Sequence, residues 1–170
     1  NAAIGIAGVR RSGHFGTSAH YLQQAADAGC IALTFTTSSP ALAPWGAAKA
    51  FLGTSPFGFA APTTGDRSFL IDMAMSRVAR GKLKFAAQRG ESIPDGYALD
   101  KDGRPTTDGK AAFEGVMLPF GEHKGAAMSW MMDVIAGVLT GAAFGGDTGN
   151  PFTNHTRSQG TGHTFIALRA

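Results

Sequence analysis

The chain has 170 residues, 44% of them hydrophobic and 16% charged, with 15 Lys and Arg against 12 Asp and Glu for a formal net charge of +3. That length and apolar content fit one substantial core and one domain, while 24 glycines, about twice average usage, mean that many backbone sites need special geometry. The basic residues are scattered, and the densest cluster, Arg77 to Arg89, has the spacing of a solvated helix face, which argues against a nucleic-acid partner.

Ile4 to Val9 is a short apolar run broken by glycines, predicted as a buried strand. Ala2 to Val9 is too short to span a membrane, and Arg10 and Arg11 lie on the wrong side of it for a signal peptide, so no membrane association and a cytoplasmic location are expected. The run leads into Ser12-Gly13-His14-Phe15-Gly16-Thr17, an imidazole between glycines just before a helix. Glycines let the backbone approach a ligand, a helix opening at Thr17 would aim free N–H groups at an anion, and a histidine there can exchange a proton near neutral pH. The same hexapeptide also fits a turn whose histidine only hydrogen-bonds the backbone.

From Thr17, the apolar positions Tyr21, Leu22, Ala25 and Ala26 recur at helical spacing until Gly29. Cys30 to Thr36 reads as a buried strand, with the single cysteine as a small core residue in a reducing compartment. It ends in Thr37-Ser38-Ser39-Pro40, whose hydroxyls suit phosphate or ribose and equally suit a serine-rich turn before proline. Pro44-Trp45-Gly46 and Leu52-Gly53-Thr54-Ser55-Pro56 read as loops, Phe57 to Pro62 as a strand. Phe69 to Ala74 is a further strand whose lone carboxylate, Asp72, is costly to bury unpaired. Asp72 therefore needs a partner, either as the cap of the helix that follows or as a ligand contact.

Ser76 to Gly90 is predicted as a helix with a basic outer side. Between Glu91 and Lys110, the turn signatures Ile93-Pro94-Asp95-Gly96 and Asp100-Lys101-Asp102-Gly103 lack the spacing of a calcium loop, so a solvated hairpin and no metal are expected. Gly121-Glu122-His123-Lys124-Gly125 opens the strongest helix, with Met128, Met131, Met132, Ile135 and Leu139 as its core stripe. His123 and Lys124 at its start oppose the helix dipole, a conflict that a bound anion would resolve. Gly141 to Gly149 reads as a loop, Asn154-His155-Thr156 has the form of a glycosylation acceptor that means nothing without secretion, and Gly162 to Leu168 is a final strand. Gly145-Gly146-Asp147-Thr148-Gly149 follows a helix rather than a strand, and Lys82 and Lys124 lack P-loop spacing, so the standard nucleotide fingerprints are absent. The expected fold is α+β (mixed α/β), a largely antiparallel or mixed sheet flanked by helices, as a single domain over 1–170.

Taken in order, Ser12-Gly13-His14-Phe15-Gly16, Phe35-Thr36-Thr37-Ser38-Ser39-Pro40, Leu52-Gly53-Thr54-Ser55-Pro56, Ile71-Asp72-Met73-Ala74, Val78-Ala79-Arg80-Gly81-Lys82 and His123-Lys124-Gly125 resemble the malate/L-lactate/ureidoglycolate dehydrogenase family along nearly the whole chain. The resemblance implies a non-Rossmann fold that binds NAD or NADP and passes hydride to or from a 2-oxo or 2-hydroxy acid, or in some members a cyclic imine acid. His14 matches the family's proton acceptor, and Ser38, Asp72, Met73, Ala74 and Lys124 match its cofactor contacts. His123, paired with Lys124, joins them as a cofactor-binding candidate.

These residue types suit the chemistry. A base takes the hydroxyl proton as hydride leaves, Asp72 can bind a ribose hydroxyl, and Lys124 can neutralise phosphate. Family members also carry, ahead of the matching region, a helical segment with a Ser-His pair and arginines for the substrate carboxylate. Here the chain opens at Asn1, Thr37 stands where asparagine is common, and Glu122 where glycine is common. The expectation is the cofactor-binding portion of a longer enzyme, homodimeric when whole. The alternative is a nucleotide-binding module that carries out no reaction of its own.

Overall fold

The computed structural model describes residues 3–153 and 155–169, so Asn154 of the glycosylation-type triplet lies outside the described residues. In chain order the elements are β1 (Ile4–Ser12), α1 (Ser18–Asp27), β2 (Cys30–Thr36), β3 (Pro40–Leu42), β4 (Leu52–Gly53), β5 (Phe57–Ala61), β6 (Phe69–Met73), α2 (Arg80–Arg89), β7 (Ala98–Leu99), β8 (Pro105–Thr106), α3 (Gly109–Glu114), β9 (Val116–Met117), α4 (His123–Met132), a π-helical segment (Asp133–Val138), a 3-10 turn (Gly145–Asp147) and β10 (Thr161–Arg169). They form two five-stranded sheets, ordered β1-β10-β2-β5-β6 and β4-β3-β9-β7-β8. The first is antiparallel throughout, and the second is mixed because β3 runs parallel to β9. This is the expected α+β class with antiparallel and mixed sheets.

Helix α1 lies across β2 and β5, burying Leu22 and Ala26 against Ala32 and Ala60. The approach is close enough to need glycine at position 58, where a Cβ would come within 2.6 Å of Leu22 Cδ1 and 2.8 Å of Ser18 Cβ. The larger core joins the two sheets, packing Phe35 of β2 with Leu42, Leu52 and Met117 of the second sheet and with Met75, Leu83 and Met132. No helix among the described residues is long and apolar enough to cross a membrane.

Several expectations are corrected. β1 is a strand but not a buried one: it is the sheet edge, with Ile4 55% and Ile6 67% exposed. Cys30 is half-buried at the start of β2 rather than a core residue. Leu52 and Gly53, expected in a loop, form the short strand β4, which pairs with β3 in the second sheet, while Pro44-Trp45-Gly46 lies in a turn as expected. Asp72 is exposed, and its partner is Ala19, whose N–H donates to Oδ2 at 3.0 Å. Asp72 thus caps α1, the earlier helix rather than the following one, replacing Thr17, whose side chain makes no capping bond.

The helix predicted from Ser76 begins only at Arg80, because Ser76 bridges to Pro119. In the hairpin of β7 and β8, the Arg104 guanidinium donates to Asp100 at 3.0 Å and to Asp102 at 2.6 Å, so the acids there are spent on an internal cation. The expected core stripe fails first at Met131, which is 43% exposed within α4, and again beyond the π-helical segment, where Leu139 N–H bonds to Val134 O at 2.9 Å and Ala142 N–H to Gly137 O at 2.9 Å. That extra residue per turn rotates the helix face. Met132 and Ala136 are buried, whereas Leu139 is 71% exposed.

Candidate active site

The loop between β1 and α1 carries His14. The Gly16 N–H donates to His14 Nδ1 at 3.0 Å, and Gly16 reaches this position with φ +88, a conformation glycine adopts at no steric cost. Since a backbone N–H can only donate, Nδ1 holds the lone pair of the neutral ring and Nε2 carries the proton.

Alternate residues entering and forming β10 grip this loop from one side, as the two-residue strand period dictates. Gln159 Oε1 accepts the His14 N–H at 2.8 Å, Thr161 donates to the Gly13 carbonyl at 2.9 Å, and the His163 ring lies 3.2 Å from the same carbonyl. A carbonyl can only accept, so His163 Nε2 is protonated, and its Nδ1 lies 2.6 Å from the Thr36 hydroxyl, whose single proton is shared between that nitrogen and the Thr37 carbonyl 3.0 Å away. The Phe15 ring stacks on His163 with centroids 4.6 Å apart. His163 is 2% exposed. Burial lowers its affinity for a proton below the ordinary histidine value, with nearby His14 acting the same way and the Gly13 carbonyl opposing. His163 is therefore a neutral, oriented strut beneath the His14 loop.

Above this floor opens a cleft of about 390 Å³, within the size range of small-molecule sites. His14, Ser38, Thr54, Ala74, Arg80 and Phe152 contribute to its walls, and no carboxylate among the described residues lines it. Ser38 Oγ accepts the Ser55 N–H at 3.0 Å and lies 3.3 Å from Thr54 Oγ1, which ties the β2–β3 turn to the turn after β4. Arg80 Nη1 donates to the Pro40 carbonyl at 3.0 Å and approaches Ser39 Oγ at 3.4 Å. Its guanidinium sits over the Phe113 and Phe152 rings, 5.8 and 5.3 Å from their centroids. Burial depresses the Arg80 pKa from its ordinary value, so this charge is partly stripped of water.

Of the residues singled out in the sequence, the structure brings His14, Ser38 and Ala74 together in the cleft. Asp72 and Met73 close β6 immediately before Ala74 but do not line it. His123 and Lys124 open α4 outside the lining, with the His123 ring 6.0 Å from that of Trp45. Sequence reading missed the clamp of Gln159, Thr161 and His163, as well as Thr36 and Arg80. The available signal was polar side chains at alternate positions leading into an apolar strand, a pattern that marks one face for a polar neighbour.

The malate/L-lactate dehydrogenase family profile matches residues 1–170. The chain is 46% identical to an L-sulfolactate dehydrogenase of Methanothermobacter thermautotrophicus, over 85% of this chain and 42% of that protein. It is 39% identical to a (2R)-3-sulfolactate dehydrogenase (NADP(+)) of Chromohalobacter salexigens, over 98% of this chain and 49% of that protein. A ureidoglycolate dehydrogenase (NAD(+)) of Escherichia coli O157:H7 is 37% identical over 97% of this chain and 47% of its own. Among solved structures, a dehydrogenase from Sinorhizobium meliloti superimposes with a TM-score of 0.92 at 33% identity, covering 98% of this chain and 49% of that one. The chain thus spans about half the length of the relatives it matches. With a profile match from its first residue to its last and a fold shared at that level, the chain belongs to the malate/L-lactate dehydrogenase family.

Proposed function

We propose that residues 1–170 form the cofactor-binding domain of an NAD(P)-dependent oxidoreductase acting on a 2-hydroxy or 2-oxo acid such as malate, lactate or sulfolactate. The observation that carries this reading is an oriented imidazole, His14, on the wall of a cleft that contains a guanidinium and hydroxyls but, among the described residues, no carboxylate. The cleft's chemistry fits a nicotinamide dinucleotide: hydroxyls for ribose and amide, a cation for phosphate, and open space beside Gly16 and Gly81, where an added Cβ would meet nothing within 4 Å. A bound nicotinamide supplies or accepts the hydride.

The chain's own residues handle the proton. His14 acts as proton acceptor in the oxidative direction, and its one lone pair, at Nδ1, is occupied by the Gly16 N–H. Taking a proton therefore requires the ring to release Gly16, while the clamp at Gly13 and at the His14 N–H keeps the loop in place. Ser38 and Ala74 serve as cofactor contacts within the cleft. Asp72 and Met73 act from its edge, with Asp72 exchanging its bond to α1 for a ribose hydroxyl.

For His123 and Lys124 the support is the uncapped start of α4, where the Glu122 side chain makes no capping bond and two basic residues follow. Lys124→Met is expected to raise the NADH or NADPH dissociation constant by about one to two decades, the worth of a charge-assisted bond to phosphate. Equal affinities for parent and variant in a fluorescence titration would remove Lys124 from the cofactor site.

We also propose a cytoplasmic homodimer. The support for a dimer is the apolar surface left open on β1, on the π-helical segment and just after it, including Ile6, Val134, Val138 and Leu139. The deciding experiment for function is a turnover assay of the whole protein that carries this chain, with oxaloacetate, pyruvate and sulfopyruvate as oxidants of NADH and NADPH. Cofactor binding without turnover on any of these would leave a nucleotide-binding module and refute the reductase reading.

A further inference from the structure

Arg80 is the strongest unassigned feature of the cleft. None of the ion pairs among the described residues includes it; those pairs join Arg77 to Glu122, Arg89 to Glu91, and Arg104 to Asp100 and Asp102. Its neighbours are a carbonyl, a hydroxyl and two aromatic faces, which orient the fork without neutralising it. A partly desolvated cation with most of its five donors unspent is costly unless an anion completes it. Structural bracing of β3 against α2 accounts for the Pro40 bond but not for a net charge on a cleft wall to which the described residues contribute no carboxylate.

Position narrows the anion. The Arg80 partners, Ser39, Pro40, Phe113 and Phe152, share no member with the hydrogen-bond partners of His14, which are Gly16 and Gln159. The two side chains are thus held by different segments of the cleft wall, which a ligand with its anionic group apart from the carbon that exchanges hydride can engage together. A small 2-hydroxy acid bears its carboxylate directly on that carbon, whereas a nicotinamide dinucleotide holds its phosphates a ribose or more away. We propose that Arg80 is the phosphate anchor of the cofactor, binding either the pyrophosphate or the 2′-phosphate that distinguishes NADP. This rests on the nicotinamide reading given above and goes beyond it by naming the residue and the ligand group.

The test titrates NADH and NADPH into the whole protein and into its Arg80→Met and Arg80→Lys variants, at low and at raised salt. Arg80→Met is expected to weaken at least one cofactor by about ten- to a hundredfold, with Arg80→Lys recovering part of the loss. The salt dependence of binding should flatten with the charge removed, which loss of mere bracing would not do. Weakening confined to NADPH identifies the 2′-phosphate, and equal weakening identifies the pyrophosphate. Should Arg80→Met fail to fold, the Arg80 Nε–H resonance of the parent is followed as inorganic pyrophosphate is added, and it is expected to shift. Unchanged affinity for both cofactors in a folded Arg80→Met protein, or a still resonance, overturns the anchor while leaving the dehydrogenase reading intact. A parent that binds neither cofactor defeats both.

Discussion

Replacing His14 by Asn is expected to lower kcat by about a hundredfold or more, the usual worth of a general base, while leaving the cofactor dissociation constant nearly unchanged. The choice of Asn follows from the loop. Its side-chain oxygen can accept the Gly16 N–H as the His14 ring does, an ordinary Asx turn, so the backbone is held while the titratable nitrogen is lost. The clamp onto the Gly13 carbonyl and the residue-14 N–H uses backbone atoms and survives the substitution. A kcat unchanged across the pH range would show that the histidine only shapes the turn. A fall in activity traced wholly to a raised cofactor Kd would make it a binding residue. Either result would send the search for the proton-handling group elsewhere in the cleft.

The parts of this site that sequence made legible are those whose chemistry is local. The limits of β2, Cys30–Thr36, follow from an apolar, β-branched run between a glycine and a serine-rich turn, and the structure keeps the same bounds. His14, Ser38 and Ala74 fall in one cleft because each ends or follows an element that could be read by itself. What stayed hidden depends on contacts between distant segments. The bond from His14 N–H to Gln159 spans 145 positions, and the one from Ala19 to Asp72 spans 53. The exposure of β1 reflects its place beside β10 at the sheet edge, which no pattern within Ile4–Ser12 specifies. Asp133, one of a series of mostly apolar helix residues, gave no sign of being buried as deeply as Met132 beside it.

Asp133 carries the second large expectation. The residue is 1% exposed, Oδ2 accepts the Gly145 N–H at 2.8 Å, and Oδ1 has no partner among the described residues. Burial pushes its pKa up to about 6, with the Gly145 bond opposing. Between the unfolded value of 3.8 and about 6, the folded chain holds more proton than the unfolded one. Stability therefore falls as pH rises through that window and stays reduced above it. Two pKa units correspond to about 3 kcal/mol as an upper figure.

Asp133→Asn keeps an acceptor for Gly145 and abolishes the charge, but leaves an amide donor unpaired at a cost of about 1–2 kcal/mol. The net expectation is a gain of about 1 kcal/mol at pH 7 to 8, read as a higher Tm, and a loss below pH 4, where the native carboxyl is already protonated. Denaturant titrations of parent and variant across pH 3.5 to 8 check it. Parallel stability curves without a change of sign would mean that the carboxylate is solvated or paired.

The π-helical turn that follows Asp133 bears on how relatives are compared. A segment closed by bonds from Leu139 to Val134 and from Ala142 to Gly137 contains one residue more than an α-helix of the same rise. Against a relative whose helix is α-helical there, correct alignment needs a single-residue gap inside Asp133–Val138. Without that gap, every later helix position is matched to one about 100° away around the axis, so buried and exposed sites exchange. Substitution tallies at Ala136 or Leu139 would then report the constraints of the wrong face.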